Sequence, residues 1–435
     1  MRRTLVFLAI SGLLSCSTPG SKFYMPAEWQ SQDAVWFGWE DESVQYYPMV
    51  VKAIKTLMPH VTVKVAAKSD SLLRVAKNYL FQNQIDTSKI KFYVEPGDRY
   101  WIRDHGAAFL VNNNGELGVA DFDWDRCGYP EWLKYKYDNN QDSIQKYWSL
   151  RQETVRQTSK VDSLMAVAEG ASILKTNIVH EGGAIEVNGK GTLILCEATV
   201  LHRNPDRSRE EIESEFKRVL GVSKIIWMKK GLAEDPLSKS GRFITGKYFA
   251  AWGTGGHTDE FVRFANSNTI MLAWVNEEEK ETNPISKMNY ERMNENLKIF
   301  EQSTDQDGKP FKIIKVPLPD LIVKKVVVTE KSDSISNAFF GVTPAMFKIS
   351  EAPRVGDTLL RIPAASYMNY LITNGLIILP TYVQAGSSKE KEEAVKKIFQ
   401  EQFPDREIVF IDIMPQNWEG GGIHCSTQQQ PGRKK

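Results

Sequence analysis

The chain carries a cysteine, Cys425, directly behind Gly420-Gly421-Gly422-Ile423-His424, ten residues before its end. Such a residue is either an inert small hydrophobe or a thiol that side-chain-free backbone carries into a crowded site. Four other segments each hold unusual polar groups: Asp104 in WIRDHG, Glu181 in HEGG, His257 and Asp259 in GGHTDE, and Asn369 in SYMN. Taken singly, each has a plain reading: an Arg103-Asp104 ion pair, a turn glutamate, a loop histidine. Together, a thiol, an imidazole and three carboxylates around one cavity suit a planar cation with several N–H donors. A guanidinium stays protonated at any working pH and presents its donors in a rigid fork that carboxylates match two at a time. Gripped by Asp104 and Asp259 from opposite edges, it would turn its central carbon toward Cys425.

The chemistry that follows is hydrolytic. A free thiol has a pKa near ~8.5, and a bound cation beside it favours the thiolate. Attack on the guanidinium carbon gives a tetrahedral adduct, His257 protonates the departing amine, and ammonia leaves. The neutral imidazole, held by Glu181, then activates water to hydrolyse the thiouronium, which yields a ureido group and the free thiol.

Repeated elements must position these groups. β-Hairpins with Asn-containing turns recur at FLVNNNGELGVADF, IEVNGKGTLILCEATV, VRFANSNTIMLAWV and YLITNGLIILPTYV, with turns near Asn112, Asn188, Asn266 and Asn374. Asn-Gly between β-branched runs is a strong hairpin signal. Helical patterns lie between them, over Asp70 to Phe81, Ser208 to Leu220 and Ser388 to Phe399. In each repeat a polar candidate stands just ahead of the first hairpin strand. Units arranged about an axis would bring these positions together, with the glycine–cysteine segment closing the ring. Residues 21–435 read as one domain, and 130–170, rich in Tyr, Lys and Gln, as a helical insertion near the cavity mouth.

The 435-residue chain has 42% hydrophobic residues and a formal net charge of +1. That balance argues against nucleic acid or an anionic membrane face as a partner bound by bulk charge. Arg2 and Arg3 followed by an apolar run from Leu5 to Leu14 read as an export signal over residues 1–20, too short to span a bilayer. Leu14-Ser15-Cys16 resembles a bacterial lipoprotein signal, which predicts an exported, membrane-anchored protein lipidated at Cys16. Cys127, Cys196 and Cys425 then remain, an odd number with no CxxC pair or His/Cys spacing that suggests zinc.

Seven segments, MPAEWQSQDAVWFGW, WIRDHGAAF, HEGGAIEVNGKGTLI, LHRNP, GGHTDEFVRF, ASYMNYLITNG and GGGIHCSTQQQP, resemble in order the agmatine deiminase and Porphyromonas-type peptidylarginine deiminase family, over roughly residues 24–431. The resemblance implies the pentein fold, a five-bladed α/β propeller with pseudo-five-fold symmetry. It implies Cys425 as nucleophile, His257 as general acid and base, and Asp104 and Asp259 as guanidinium ligands. It further implies Glu181 as support for the histidine, Asn369 as a lining residue, Trp101 as packing for the substrate's alkyl stem, and no cofactor.

The substrate is expected to be a guanidine or an arginine-containing peptide. Export and Arg126, in DFDWDRCGY, favour a peptide whose C-terminal carboxylate Arg126 would hold, although Gly128 stands where the peptidylarginine enzyme has a second arginine. The alternative is agmatine. Amidino transfer and a non-enzymatic guanidine-binding lipoprotein are further readings. A papain-like protease fits poorly, because its cysteine sits near the mature N-terminus.

Overall fold

The computed structural model describes residues 22–94, 100–237, 242–330 and 341–433, so the segment expected to be an export signal, with Cys16, lies outside the described residues. Four three-stranded sheets share one topology. In each, an antiparallel hairpin is followed by a helical crossover and a third strand that returns parallel to the second. They are Ala108–Val111, Leu117–Asp123 and Ser172–Val179; Glu186–Val187, Thr192–Cys196 and Lys224–Met228; Val262–Asn266, Thr269–Trp274 and Lys312–Pro317; and Leu371–Thr373, Leu376–Pro380 and Glu407–Ile411.

The hairpins form where the Asn turns are. Asn188 Oδ1 accepts from the backbone N–H of Lys190 and of Thr192 at 2.9 Å each, and Asn112 Oδ1 accepts from Asn114 and Glu116 at 3.0 Å. An asparagine that bonds its own backbone two and four residues on replaces the bonds a tight turn would leave unmade. The second strands Thr192–Cys196 and Leu376–Pro380 are buried throughout, as expected of strands covered on both faces.

A fifth sheet repeats the pattern across the two ends of the chain. Thr427–Pro431 runs antiparallel to Gln32–Trp39, which is parallel to Thr62–Ala67 and, through it, to Ile90–Val94. The last strand of the chain therefore takes the place of a first hairpin strand, and Cys425 stands just ahead of it, as the other candidates stand ahead of theirs. This unit has no turn motif, since its two hairpin strands are separated by almost the whole sequence.

The three helical patterns fold as Asp70–Gln82, Arg209–Leu220 and Lys389–Gln402. Ser208 and Glu211 close a reciprocal capping box on the second of these. The third runs beyond Phe399 to Gln402 and continues to bury Val395 and Phe399. Residues 129–169 form four short helices, Tyr129–Lys136, Gln141–Ser149, Gln152–Thr158 and Val161–Glu169, which together make the crossover between Leu117–Asp123 and Ser172–Val179. The sequence reading did not anticipate a mixed sheet of Arg242–Thr245, Tyr248–Ala250, Thr358–Ile362 and Lys324–Val327. Among the described residues no helix is long and apolar enough to cross a membrane.

Candidate active site

Five short segments, each leading into a hairpin strand, meet at one point. Asp104 lies on the one-turn helix Ile102–His105. That turn is tied to the cysteine segment by the Arg103 backbone N–H, which donates to the Cys425 carbonyl at 3.2 Å, and by Arg103 Nε, which donates to the His424 carbonyl at 3.2 Å. Glu181 precedes the turn Gly182–Ala184, and His257 precedes the turn Thr258–Glu260 that carries Asp259. Asp235 holds the histidine loop: its carboxylate accepts from the backbone N–H of Thr254, of Gly255 at 3.2 Å, of Gly256 at 2.8 Å and of His257 at 3.1 Å.

The three glycines answer to crowding. Gly420 has φ +87°, a conformation that side chains oppose, and a Cβ on Gly421 would fall 2.6 Å from the Trp101 ring. Ser426, Thr427 and the glutamines beyond them are buried, so the C-terminal segment is part of the interior.

Cys425 is 5% exposed. Its Sγ accepts from Asn369 Nδ2 at 3.1 Å and lies 3.6 Å from Asp259 Oδ2 and 3.8 Å from Glu260 Oε1. Burial pushes the thiol pKa well up, and Asp259, Glu260 and Asp104 push it further. In the empty site Cys425 is therefore a thiol, and a cation among those carboxylates is what would make it a thiolate.

His257 is buried between two carboxylates. Its Nε2 faces Glu181 Oε2 at 3.3 Å and its Nδ1 faces Asp104 Oδ1 at 3.5 Å. Burial lowers the imidazole pKa, but Asp104 and Glu181 outweigh it and raise the pKa to about 9. Burial likewise opposes the Glu181 anion, yet Arg203, whose Nε donates to Glu181 Oε1 at 2.8 Å, and His257 hold its pKa well below the usual carboxylate range.

Asp259 is fixed from behind. Its Oδ2 faces His424 Nδ1 at 2.7 Å, and the other ring nitrogen of His424 faces Glu28 at 2.9 Å. Glu28 in turn pairs with Arg103 at 3.2 Å and with Arg263. Burial raises the Asp259 pKa, but His424 brings it below its ordinary value. The second oxygen, Oδ1, is buried with no hydrogen-bond partner among the described residues. A buried, unmatched carboxylate oxygen costs free energy unless a ligand's donor meets it.

Cys425 and Asp104 line a cavity of about 310 Å³ whose wall includes Trp101, Trp124, Arg126, Trp252 and Glu419. Of the eight residues singled out in the sequence, Asp104, Trp101, Arg126 and Cys425 line this cavity, Asp259, Asn369 and His257 touch a residue that lines it, and Glu181 stands one contact further back, behind His257. Arg126 stands at the wall with its guanidinium 5.6 Å from the Tyr129 ring centre. Arg103 pairs with Glu28 and not with Asp104, which removes the plain reading of that dipeptide.

The sequence reading missed Glu28, Arg203, Asp235, Glu260, Arg263 and His424. All but Asp235 sit inside a segment that carried the resemblance, and Asp235 gave no signal because it acts on backbone. Asp259, Glu260 and Cys425 also offer three ligand atoms within 4.8 Å of one another, as a metal site would. Burial and Asp259 push the Glu260 pKa well up, as burial and the same carboxylate do for the Cys425 thiol.

A model of the Porphyromonas-type peptidyl-arginine deiminase family matches residues 24–431. The chain belongs to this family. It is 28% identical over 428 residues to an agmatine deiminase of Pseudomonas fluorescens, covering 95% of this chain and 97% of that protein. It is 30% identical over 419 residues to an agmatine deiminase of Medicago truncatula, covering 94% and 96%. Among solved structures, the agmatine deiminase of Enterococcus faecalis superposes with a TM-score of 0.69 at 25% identity over 96% of this chain and 99% of that one. This deiminase-family protein is a hydrolase of amidine C–N bonds with the mixed α/β fold of the pentein deiminases, and its substrate carries a guanidine.

One residue of the family member's floor admits no side chain at all. A Cβ on Gly183 would lie 2.6 Å from His257 Nδ1, 2.9 Å from Asp104 Oδ1 and 3.1 Å from Asp259 Oδ2. Gly183→Ala is expected to lower kcat/KM roughly tenfold to a hundredfold, because a methyl there displaces three groups whose placement sets the reaction geometry. The check is steady-state kinetics beside a thermal melt: the melt should shift little, and a fully active variant would show that the floor tolerates the methyl.

Proposed function

We propose that the protein hydrolyses agmatine to N-carbamoylputrescine and ammonia. The observation that carries this reading is the meeting of a buried thiol, an imidazole and an unmatched carboxylate oxygen beside one cavity, in a chain similar over nearly its whole length to agmatine deiminases.

Asp104 and Asp259 hold the guanidinium, with the open Oδ1 of Asp259 accepting one of its N–H donors. The cation lowers the Cys425 pKa, the thiol proton passes to solvent, and Sγ attacks the central carbon with formation of a C–S bond. His257, cationic below about pH 9, delivers its proton to the terminal nitrogen, the C–N bond breaks, and ammonia leaves. Neutral His257 then takes a proton from water, the hydroxide attacks the thiouronium carbon, and the C–S bond breaks to return the thiolate while the adduct's hydroxyl proton passes to solvent and leaves the neutral ureido group. Glu181, anchored by Arg203, stabilises the imidazolium in both half-reactions. Five like sheet units suit a five-bladed arrangement around this centre. The export signal and lipidation at Cys16 belong to the same reading, and N-terminal sequencing that begins elsewhere than Cys16 would remove the anchor from it.

The pH profile follows from the histidine. Its raised pKa means that the proton donor is present below about pH 9 and is lost above it. Plots of kcat/KM against pH should fall on the alkaline side from about pH 9, and a profile flat to pH 10.5 would exclude His257 as the acid.

Arg126 at the cavity wall favours a second reading, deimination of peptides that end in arginine. A colorimetric assay of ureido product with agmatine, free arginine and arginine-terminated peptides decides between them. The highest kcat/KM is expected with agmatine. A peptide that exceeds it, with the advantage lost in Arg126→Ala, would establish the second reading.

A further inference from the structure

The floor of the cavity accounts for the guanidinium but not for the other end of the substrate. Agmatine carries a second cation, an ammonium four carbons away, and the cavity wall holds the carboxylates of Glu40 and Glu419. We infer that Glu419 receives this distal ammonium and thereby sets the preference for a substrate with two cationic ends. The inference rests on the agmatine reading and names the specificity determinant within it.

Glu419 is built into the wall. It directly precedes Gly420, on the segment that carries Cys425, and its backbone N–H donates to the Gln416 carbonyl at 2.8 Å. Its carboxylate accepts from Arg361 Nη2 at 3.2 Å, and Arg361, only 1% exposed, is itself held by the Trp418 carbonyl. Arg361 thus fixes one edge of the carboxylate, while the side chain keeps 23% of its surface exposed where it lines the cavity. Burial raises the Glu419 pKa even against Arg361, so the anion gains from a further cation.

Glu40 is the weaker candidate. It pairs at 3.3 Å with Lys68, which is 42% exposed, and it lies on a different segment from the nucleophile.

The test compares agmatine with butylguanidine, which has the same guanidinium and chain but no ammonium, in the wild type and in Glu419→Gln. A charged hydrogen bond of this kind gives the wild type about a tenfold to hundredfold preference for agmatine in kcat/KM. In Glu419→Gln that ratio is expected to collapse toward one, mostly through a higher KM for agmatine, and Glu419→Asp should restore part of it. A ratio that survives Glu419→Gln in a protein with an unshifted thermal melt overturns the assignment. Turnover of arginine-terminated peptides with none of agmatine in the wild type would instead overturn the agmatine reading, and this inference with it.

Discussion

Cys425→Ala is expected to lower turnover by at least about 10⁴-fold while leaving guanidine binding in place. The mechanism has a single covalent step in each half-reaction, and both pass through Sγ, so no other group can carry a fraction of the rate. The other thiols stand elsewhere: Cys196 is buried with its pKa pushed up to about 11, first by burial, and Cys127 lies at the cavity wall. Removing one buried sulfur leaves Asp104, Asp259, Glu181 and His257 in position. It also removes a group that Asn369 donates to, at modest cost, because Asn369 keeps its bond to Glu260 at 2.9 Å. Calorimetric titration of the variant with agmatine should give a dissociation constant within about tenfold of the wild-type KM. Residual turnover above a few per cent would place the nucleophile elsewhere.

Asp259→Asn should cost roughly 10²- to 10³-fold in kcat/KM. Truncating one partner of a buried, hydrogen-bonded charge pair is worth about 3–5 kcal/mol, much of it because the other partner is left unpaired. Here both sides of the carboxylate are affected. Toward the cavity the variant offers the guanidinium a neutral amide in place of a charge, and toward the interior it leaves His424 between a neutral amide and Glu28. The loss should appear in KM and kcat together, since the same carboxylate helps hold the cation that lowers the thiol pKa. Kinetics within threefold of the wild type in a folded variant would show that Asp259 only supports His424.

Much of this site was legible because hairpins repeat. The Asn turns fixed where strands begin, and the polar residues just ahead of them fell at equivalent places, so Asp104, Glu181, Asp259 and Asn369 could be grouped before any contact was known. The fifth unit escaped because pairing between Thr427–Pro431 and Gln32–Trp39 is a property of the folded chain and leaves no local turn signal. In the sheet that includes Thr358–Ile362, the pairings of that strand with Tyr248–Ala250 and with Lys324–Val327 escaped for the same reason, as they span long intervals of sequence.

Supporting residues were harder still. Glu28, Arg263 and His424 form a chain of polar contacts behind Asp259, and nothing in their local sequence distinguishes a buried arginine from the surface arginine that is more common. Asp235 is the extreme case: apart from the Thr254 hydroxyl its donors are backbone N–H groups, so its role exists once the loop from Thr254 to His257 has its final shape. The glycines, by contrast, were readable as a demand for close approach, and Gly421 against Trp101 is where that demand is met.

The central claim is that Cys425 becomes covalently attached to the guanidine carbon, and the most direct measurement is peptide mass spectrometry of enzyme acid-quenched during turnover of agmatine. A mass increase equal to the substrate-derived thiouronium is expected on the peptide that contains Cys425, absent in Cys425→Ala and released as ureido product when quenching is delayed. An adduct on Cys127 or Cys196, with Cys425 unmodified while product forms, would contradict it.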